Sequence, residues 1–290
     1  LVAWADFYEA GKVIKEKTGK YIMAVETTEH WTYYPLITQQ GSDFFDAKTG
    51  EVILDNQINI DALQWLLDGV KEGIFVTMPG GFCHSEEWYA YMNQGNVASI
   101  AMPLWYLNRF TDYMPDLNGK MAVTTMPVWT EGGANSAGLG GTGTSVTNQA
   151  KNIELCKEFL FFAKASKEAA IATWTDLGFD PIRKDIYEDP VMTAPNVFTD
   201  YFGEEIYDVM DATADSIGAL STSNPLYPQA LTLVQKSVMF EVLNEQSKTP
   251  EEALKDAADQ LRALQKHIGQ HQNDDQQVLE LLQEHLNDAF

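Results

Sequence analysis

Positive charge is scarce in this chain. Lys and Arg total 19 against 42 Asp and Glu, a formal net charge of −23 over 290 residues. Such a balance repels phosphate backbones and anionic lipid, which argues against nucleic acid as a partner and leaves neutral or cationic solutes compatible. Cysteine is scarcer still: Cys83 stands in a Gly-rich loop and Cys156 inside a helical pattern. With no CxxC pair, neither a disulfide framework, a structural zinc nor a redox couple is indicated, and Cys156 reads as a small core residue. No run approaches the roughly 18 to 20 apolar residues that span a bilayer, and no basic-then-apolar leader precedes the first helix.

The motifs of catalysis and cofactor binding are also thin. No GxSxG elbow exists for a nucleophilic serine, and no HExxH pattern for zinc. His267 and His271 are spaced i, i+4, but Gly269 between them weakens the helix that would align them on a metal. Gly138-Leu139-Gly140-Gly141-Thr142-Gly143 has GxGxxG spacing, yet a polar loop precedes it and Thr144-Ser145-Val146-Thr147 follows. A dinucleotide site needs a buried strand before these glycines and a helix opening on them. Relief of backbone strain at a hinge explains Gly138, Gly140, Gly141 and Gly143 better. Glu86 and Glu87 fail as a glycosidase pair, because neighbours on a helix diverge by about 100° whereas acid and base must face each other across roughly 5 to 9.5 Å. No cofactor and no metal is called for.

What is present is a globular α/β pattern with 45% hydrophobic residues. Trp4, Phe7, Tyr8, Val13 and Ile14 fall largely on one helical face, which Gly19 stops. Tyr21-Ile22-Met23-Ala24-Val25 is a short continuous apolar run, as expected of a strand buried on both faces. A helix from Asp61 to Gly73 carries Leu63, Leu66, Leu67 and Val70 as its packing stripe. Val97 to Met102 and Met121 to Met126 read as buried strands, and residues 131 to 143 as a glycine-rich crossing between two lobes. Ile153, Cys156, Phe159, Leu160 and Ala163 make an amphipathic helix, followed by another over Ala169 to Trp174. Glu204 to Ala219 and Gln229 to Asn244 read as helical. Thr249-Pro250-Glu251-Glu252 is a helix start, with Thr249 as cap and Glu252 reaching back. Residues 265 to 277 are polar, and Val278, Leu281, Leu282 and Leu286 give a short apolar face beyond them.

The aromatics carry the functional signal. Trp31, Tyr33 and Tyr34 follow the first strand beside Glu26, Thr27, Thr28, Glu29 and His30, while Trp105 and Tyr106 follow the strand ending at Met102. Both sets fall at carboxyl ends of strands, where open α/β sheets place ligands. Rings that stack on the C–H faces of a sugar, with carboxylates and Arg for its hydroxyls, suit that ligand class. Each aromatic by itself is more often core than cleft.

Several segments resemble the family 1 extracellular solute-binding proteins. They are Met126-Pro127, the glycine loop to Thr147, the helix from Asn152 to Lys164, Gly178-Phe179-Asp180-Pro181-Ile182-Arg183-Lys184, Glu29 to Ile37, and Glu251 to Ala257. The likeness runs in order over about residues 4 to 262. Gly140 to Thr144 and Thr111 to Leu117 look most like the arabinose and arabino-oligosaccharide binders within the family.

The resemblance implies a periplasmic-binding-protein-like type II fold, two α/β lobes on a hinge. Residues 1–137 and 189–264 would form the C-terminal lobe and 138–188 the hinge crossing with helices of the N-terminal lobe, with 265–290 as a polar linker and tail helix. The remainder of the N-terminal lobe would precede Leu1, so that helices 150–176 lose the sheet they cover and leave an apolar face exposed or repacked. It also implies a carbohydrate-binding component of a bacterial ABC transporter, working with membrane permease subunits outside the cytoplasm and anchored as a cell-surface lipoprotein. Trp31 and Trp105, or Tyr106, match aromatic platforms. Tyr33 stands among them, Glu26, Glu87 and Arg109 are expected as polar contacts, and Phe179-Asp180 matches a loop reaching the ligand from the opposite lobe. Two other readings stay open: a carbohydrate-active hydrolase, which needs two carboxylates converging on the aromatics, and a non-catalytic oligomerising module.

Overall fold

The structure is a computed structural model that describes residues 2–141, 143–213, 216, 218 and 220–287, with side chains up to residue 268. Helix α1 (Trp4–Thr18) ends where Gly19 turns left-handed at φ 73° and returns its N–H to the Lys15 carbonyl. Strand β1 (Tyr21–Val25) follows at once. It lies at the centre of a parallel sheet between β2 (Phe75–Thr77) and β3 (Val97–Ser99), with Met23 opposite Phe75 on one side and Ser99 on the other. Within the β1–β2 connection run α2 (Tyr34–Thr38) and α3 (Gln57–Lys71). Helix α4 (Glu86–Asn93) connects β2 to β3. Parallel strands need such crossovers, and the crossovers aim all three carboxyl ends the same way.

Each face of the sheet has its own core. One gathers Trp4, Ile22, Leu63, Leu66 and Phe75 with Leu254, Ala258 and Leu261 of α11 (Pro250–Asn287). The other gathers Ala24, Trp88, Met92 and Phe110 with Trp174 and Phe198, from α5 (Leu107–Tyr113), α7 (Lys167–Thr175) and α8 (Val197–Phe202). Burial on both sides is why β1 is a continuous apolar run. Between α5 and α7 stands α6 (Ile153–Ala165); α9 (Ile206–Thr213) and α10 (Tyr227–Leu233) complete the chain order.

The local signals hold at the starts of these helices. Thr249 N–H donates to the Glu252 carboxylate at 2.9 Å and Glu252 N–H to the Thr249 hydroxyl at 3.2 Å, so the expected capping box opens α11. Asn152 caps α6 by accepting from Leu155 N–H.

Differences from the sequence reading arise where local pattern meets tertiary context. Met121–Met126 forms no strand: the described sheet is β2-β1-β3, and the segment lies partly exposed outside it. Strand β3 stops at Ser99. Helix α3 begins earlier than Asp61, since the Asn56 side chain caps it through Asn59 N–H. Helix α9 ends at Thr213, with Ser216, Gly218 and Leu220 non-helical. Helix α10 passes into wide π turns at Val234–Val238 and Phe240–Asn244. Residues 265–277, read as a polar linker, continue α11. The side chains of His271, Val278, Leu281, Leu282 and Leu286 lie outside the described residues, as does Thr142.

Helix α6 has no buried residue. Phe159, Phe161 and Phe162 are 63%, 70% and 60% exposed, beside Ile153 and Leu155. Cys156 is therefore half exposed on this helix rather than a core residue. Among the described residues no helix is long and apolar enough to cross a membrane, and no His, Cys, Asp and Glu cluster is arranged to hold a metal.

Candidate ligand cleft at the carboxyl ends of the strands

The loops leaving the three strands are tied together by hydrogen bonds. After β1, the N–H groups of Thr27 and Thr28 both donate to the Gly81 carbonyl, at 2.9 and 3.2 Å, in the loop after β2. Gly81 itself sits at φ 83°, and a Cβ there would lie 3.0 Å from the Thr28 methyl, so only glycine allows this approach.

Two residues beyond, the Cys83 peptide is held at both ends. Its N–H donates to Glu26 Oε1 at 3.0 Å, and its carbonyl accepts from the Tyr106 hydroxyl in the loop after β3. Tyr106 is in turn fixed by the Trp88 indole N–H at 2.9 Å. Burial pushes the Glu26 carboxyl up to about 7, against the pull of the Cys83 N–H. Glu26 is 0% exposed and its Oε2 is enclosed without a partner. A buried oxygen of that kind is costly unless something donates to it.

Aromatic rings stand beside this carboxyl group. Trp31 meets Trp105 edge-on, with centroids 5.5 Å apart and planes at 78°. Trp105 lies nearly parallel to the His84 ring, at 5.7 Å and 11°. Burial, and then the nearby Arg109 charge, holds the His84 imidazole below its ordinary value, and its Nδ1 lies 3.2 Å from the Tyr89 hydroxyl. Arg109 Nε and Asn108 Oδ1, adjacent on α5, are also enclosed without partners. Flat apolar faces thus stand near enclosed polar atoms without partners: two acceptor oxygens, on Glu26 and Asn108, and one donor, on Arg109.

On its other side Trp31 borders an open cavity of about 680 Å³, whose lining includes His30, Tyr227, Gln235 and Leu220. Gly138, Gly140, Gly141 and Gly143 line it as well. Thr38 Oγ1 donates to the Gly138 carbonyl at 2.7 Å, and a Cβ on Gly138 would fall 2.6 Å from the carbonyl oxygen of Gly218. At Gly138 the loop comes this close because that position has no side chain.

Of the residues singled out from sequence, Glu26, Trp31, Trp105, Tyr106 and Arg109 are drawn together by the three loops. Tyr33 is turned into the core, wholly buried, with its hydroxyl donating to the Asn59 carbonyl at 3.1 Å. Glu87 is exposed in the first turn of α4. Phe179 and Asp180 are exposed on the loop after α7, where Phe179 N–H donates to the Thr173 carbonyl; burial, and then the Asp180 charge, pushes the Tyr187 hydroxyl up to about 12. His84 and Gln235 were missed. His84 was within reach of the same reasoning, since it follows β2 as Trp105 follows β3. Gln235 carries no signal in its own stretch, because a polar residue on a helix reads as a solvated one.

Residues 3–170 match the family described as bacterial extracellular solute-binding protein. The arabinooligosaccharide-binding protein of Bacillus subtilis is 45% identical over 269 residues, 90% of this chain and 60% of the relative. Its namesake in Halalkalibacterium halodurans is 46% identical over 264 residues, 91% of this chain and 59% of the relative. The chain therefore spans about 60% of the length of the curated relatives it matches. A solved ABC-transporter-associated binding protein of B. animalis subsp. lactis, in complex with beta-1,6-galactobiose, superposes with a TM-score of 0.73 at 17% identity, covering 92% of this chain and 67% of that one. A likeness at that identity speaks for the fold alone.

Proposed function

The chain belongs to the family of bacterial extracellular solute-binding proteins and has their type II periplasmic-binding-protein fold, and from that premise we propose that it is part of a sugar-binding component of an ABC importer, taking an arabinose-containing oligosaccharide. The observation that carries this reading is the wall of Trp31, Trp105 and His84 beside the enclosed Oε2 of Glu26. Rings take the C–H faces of a sugar and the carboxyl and guanidinium groups take its hydroxyls. The names of the 45% and 46% identical relatives point to the oligosaccharide class.

In this reading the glycine loop over Gly138, Gly140, Gly141 and Gly143 is the crossing between lobes. The segments 1–137 and 189–264 belong to one lobe and 138–188 passes to the other, where Phe179 and Asp180 approach the ligand on closure. Glu87 stands at the rim. The whole protein hands its sugar to membrane permease subunits outside the cytoplasm, anchored as a lipoprotein. Binding proceeds without turnover: a hydrolase would need a second carboxyl group facing Glu26 across the wall, and Glu86 and Glu87 share one exposed helical turn instead.

Calorimetric titration with arabinose, arabinobiose, xylobiose and maltose tests the proposal. Saturable heat with the arabinose series and no released reducing sugar is the expected result. Turnover, or tighter binding of maltose than of arabinobiose, would overturn it.

A further inference from the structure

We propose that Gln235 is a specificity-determining residue whose amide oxygen, held facing the cavity by Glu29 and His30, accepts one particular hydroxyl of the ligand. The inference rests on the sugar-binding reading above and deepens it.

Gln235 lies in the π turn Val234–Val238 that continues α10. Val234 and Val238 are fully buried on its core side. The widened turn leaves Gln235 half buried at the cavity, beside Trp31 and Tyr227. Wide turns of this kind recur where a helix presents a functional side chain.

The orientation of the amide follows from its neighbours. Gln235 Nε2 donates to Glu29 Oε2 and lies 3.0 Å from His30 Nδ1. An ionised carboxylate only accepts, so the atom facing Glu29 is the NH₂ group; burial pushes the Glu29 carboxyl above its ordinary value, and the Lys236 charge and the Gln235 amide pull it back towards the ionised form. Burial keeps the His30 imidazole neutral down to about pH 4, so its Nδ1 can offer a lone pair to the second amide hydrogen. Both hydrogens of Gln235 are then used within the protein. The polar atom left for a ligand is Oε1, which can only accept.

An acceptor that cannot rotate into a donor discriminates by chemistry. It takes a hydroxyl proton, repels carboxylate and phosphate, and gains nothing from an ether oxygen or a deoxy carbon. Glu29 and His30 act through Gln235 as positioning residues.

The test compares arabinobiose with its monodeoxy analogues, by calorimetry, on the wild-type chain and on Gln235→Met, which keeps the volume and removes the amide. In the wild type, removing the recognised hydroxyl should weaken binding about tenfold, as expected for one lost hydrogen bond. Gln235→Met should bind the parent sugar about tenfold more weakly and be indifferent to that one deoxygenation, while keeping its response to the others. A merely structural residue would lower all affinities by one factor and leave every ratio unchanged, and that result would overturn the inference. Glu29→Gln, which frees the amide to rotate, should blur the same single hydroxyl's discrimination, and supplies the test should Gln235→Met not fold. If the wild-type chain takes up no arabino-oligosaccharide, the sugar-binding reading fails and this inference with it; binding with unaltered ratios in both variants sinks the inference alone.

Discussion

The backbone N–H of Cys83 donates to the Glu26 carboxylate across the mouths of two adjacent strands, at 3.0 Å. This bond couples the loop after β2 to the end of β1, and Tyr106 extends the coupling to the loop after β3 through the Cys83 carbonyl. The carboxyl that organises the cleft is thereby one of the most enclosed groups in the chain, with its second oxygen unused.

That enclosure has a pH signature. The Glu26 carboxyl titrates at about 7 in the folded chain, against 4.5 for the ordinary group. Between those values the unfolded state gives up its proton while the folded state keeps it. Its contribution to stability is thus fully present below about pH 4.5 and is lost as pH rises towards 7. At about 1.4 kcal/mol per pH unit the loss is on the order of 3 kcal/mol. Urea unfolding at pH 5 and pH 8 should show Glu26→Gln gaining on the wild type by that order at the higher pH. An unchanged difference at the two values would contradict the burial of this group.

Trp105 is half buried, packed between the Trp31 edge and the His84 face. Trp105→Ala should leave the fold standing, with an unfolding cost of about 1 to 3 kcal/mol, and lower arabinobiose affinity at least about tenfold, as a lost stacking face does. Trp31→Ala should cost more stability, because Trp31 packs against both cores. Calorimetric titration beside thermal unfolding separates the two effects.

Gly81 holds two N–H groups of the β1 loop on its carbonyl while in a left-handed conformation. Gly81→Ala forces a Cβ against Thr28 at 3.0 Å and strains the backbone. We expect a loss of about 1 to 3 kcal/mol in denaturant unfolding, together with weakened sugar binding, since Glu26 and Cys83 lose their common anchor. Full stability in this variant would show that the loop does not need its present path.

The outer face of α6 presents Phe159, Phe161 and Phe162 to solvent. Covering each ring is worth about 1.5 to 3 kcal/mol, so this chain should associate as its concentration rises. Sedimentation velocity should show that dependence, and replacing Phe161 and Phe162 with Asp should abolish it. A monodisperse wild-type chain at high concentration would refute the expectation.

Much of the fold was legible because its signals are local. Gly19 stops α1, Thr249 and Glu252 box the start of α11, and the run from Tyr21 to Val25 reads as a strand with both faces covered. The failures share a cause. Met121–Met126 has the apolar character of a strand, but a strand exists only if a neighbour supplies its hydrogen bonds, and the sheet offers none there. Cys156 sits on a helix with an apolar stripe, and periodicity marks a face without saying whether anything covers it.

The sequence by itself determined the α/β class, the places where helices start and stop, and the position of aromatic and acidic residues just past the strands, because turn chemistry and hydrophobic period act over a few residues. Only the tertiary structure decided which of those residues face the cleft. Trp31 and Tyr33 are two positions apart, yet one borders the cavity and the other bonds Asn59 in the core. Cys83 reaches Glu26 across 57 positions and Gln235 reaches His30 across 205. Such separations are closed by packing the helices on a parallel sheet, and no local propensity encodes which side chain is then left with an unused hydrogen-bonding atom.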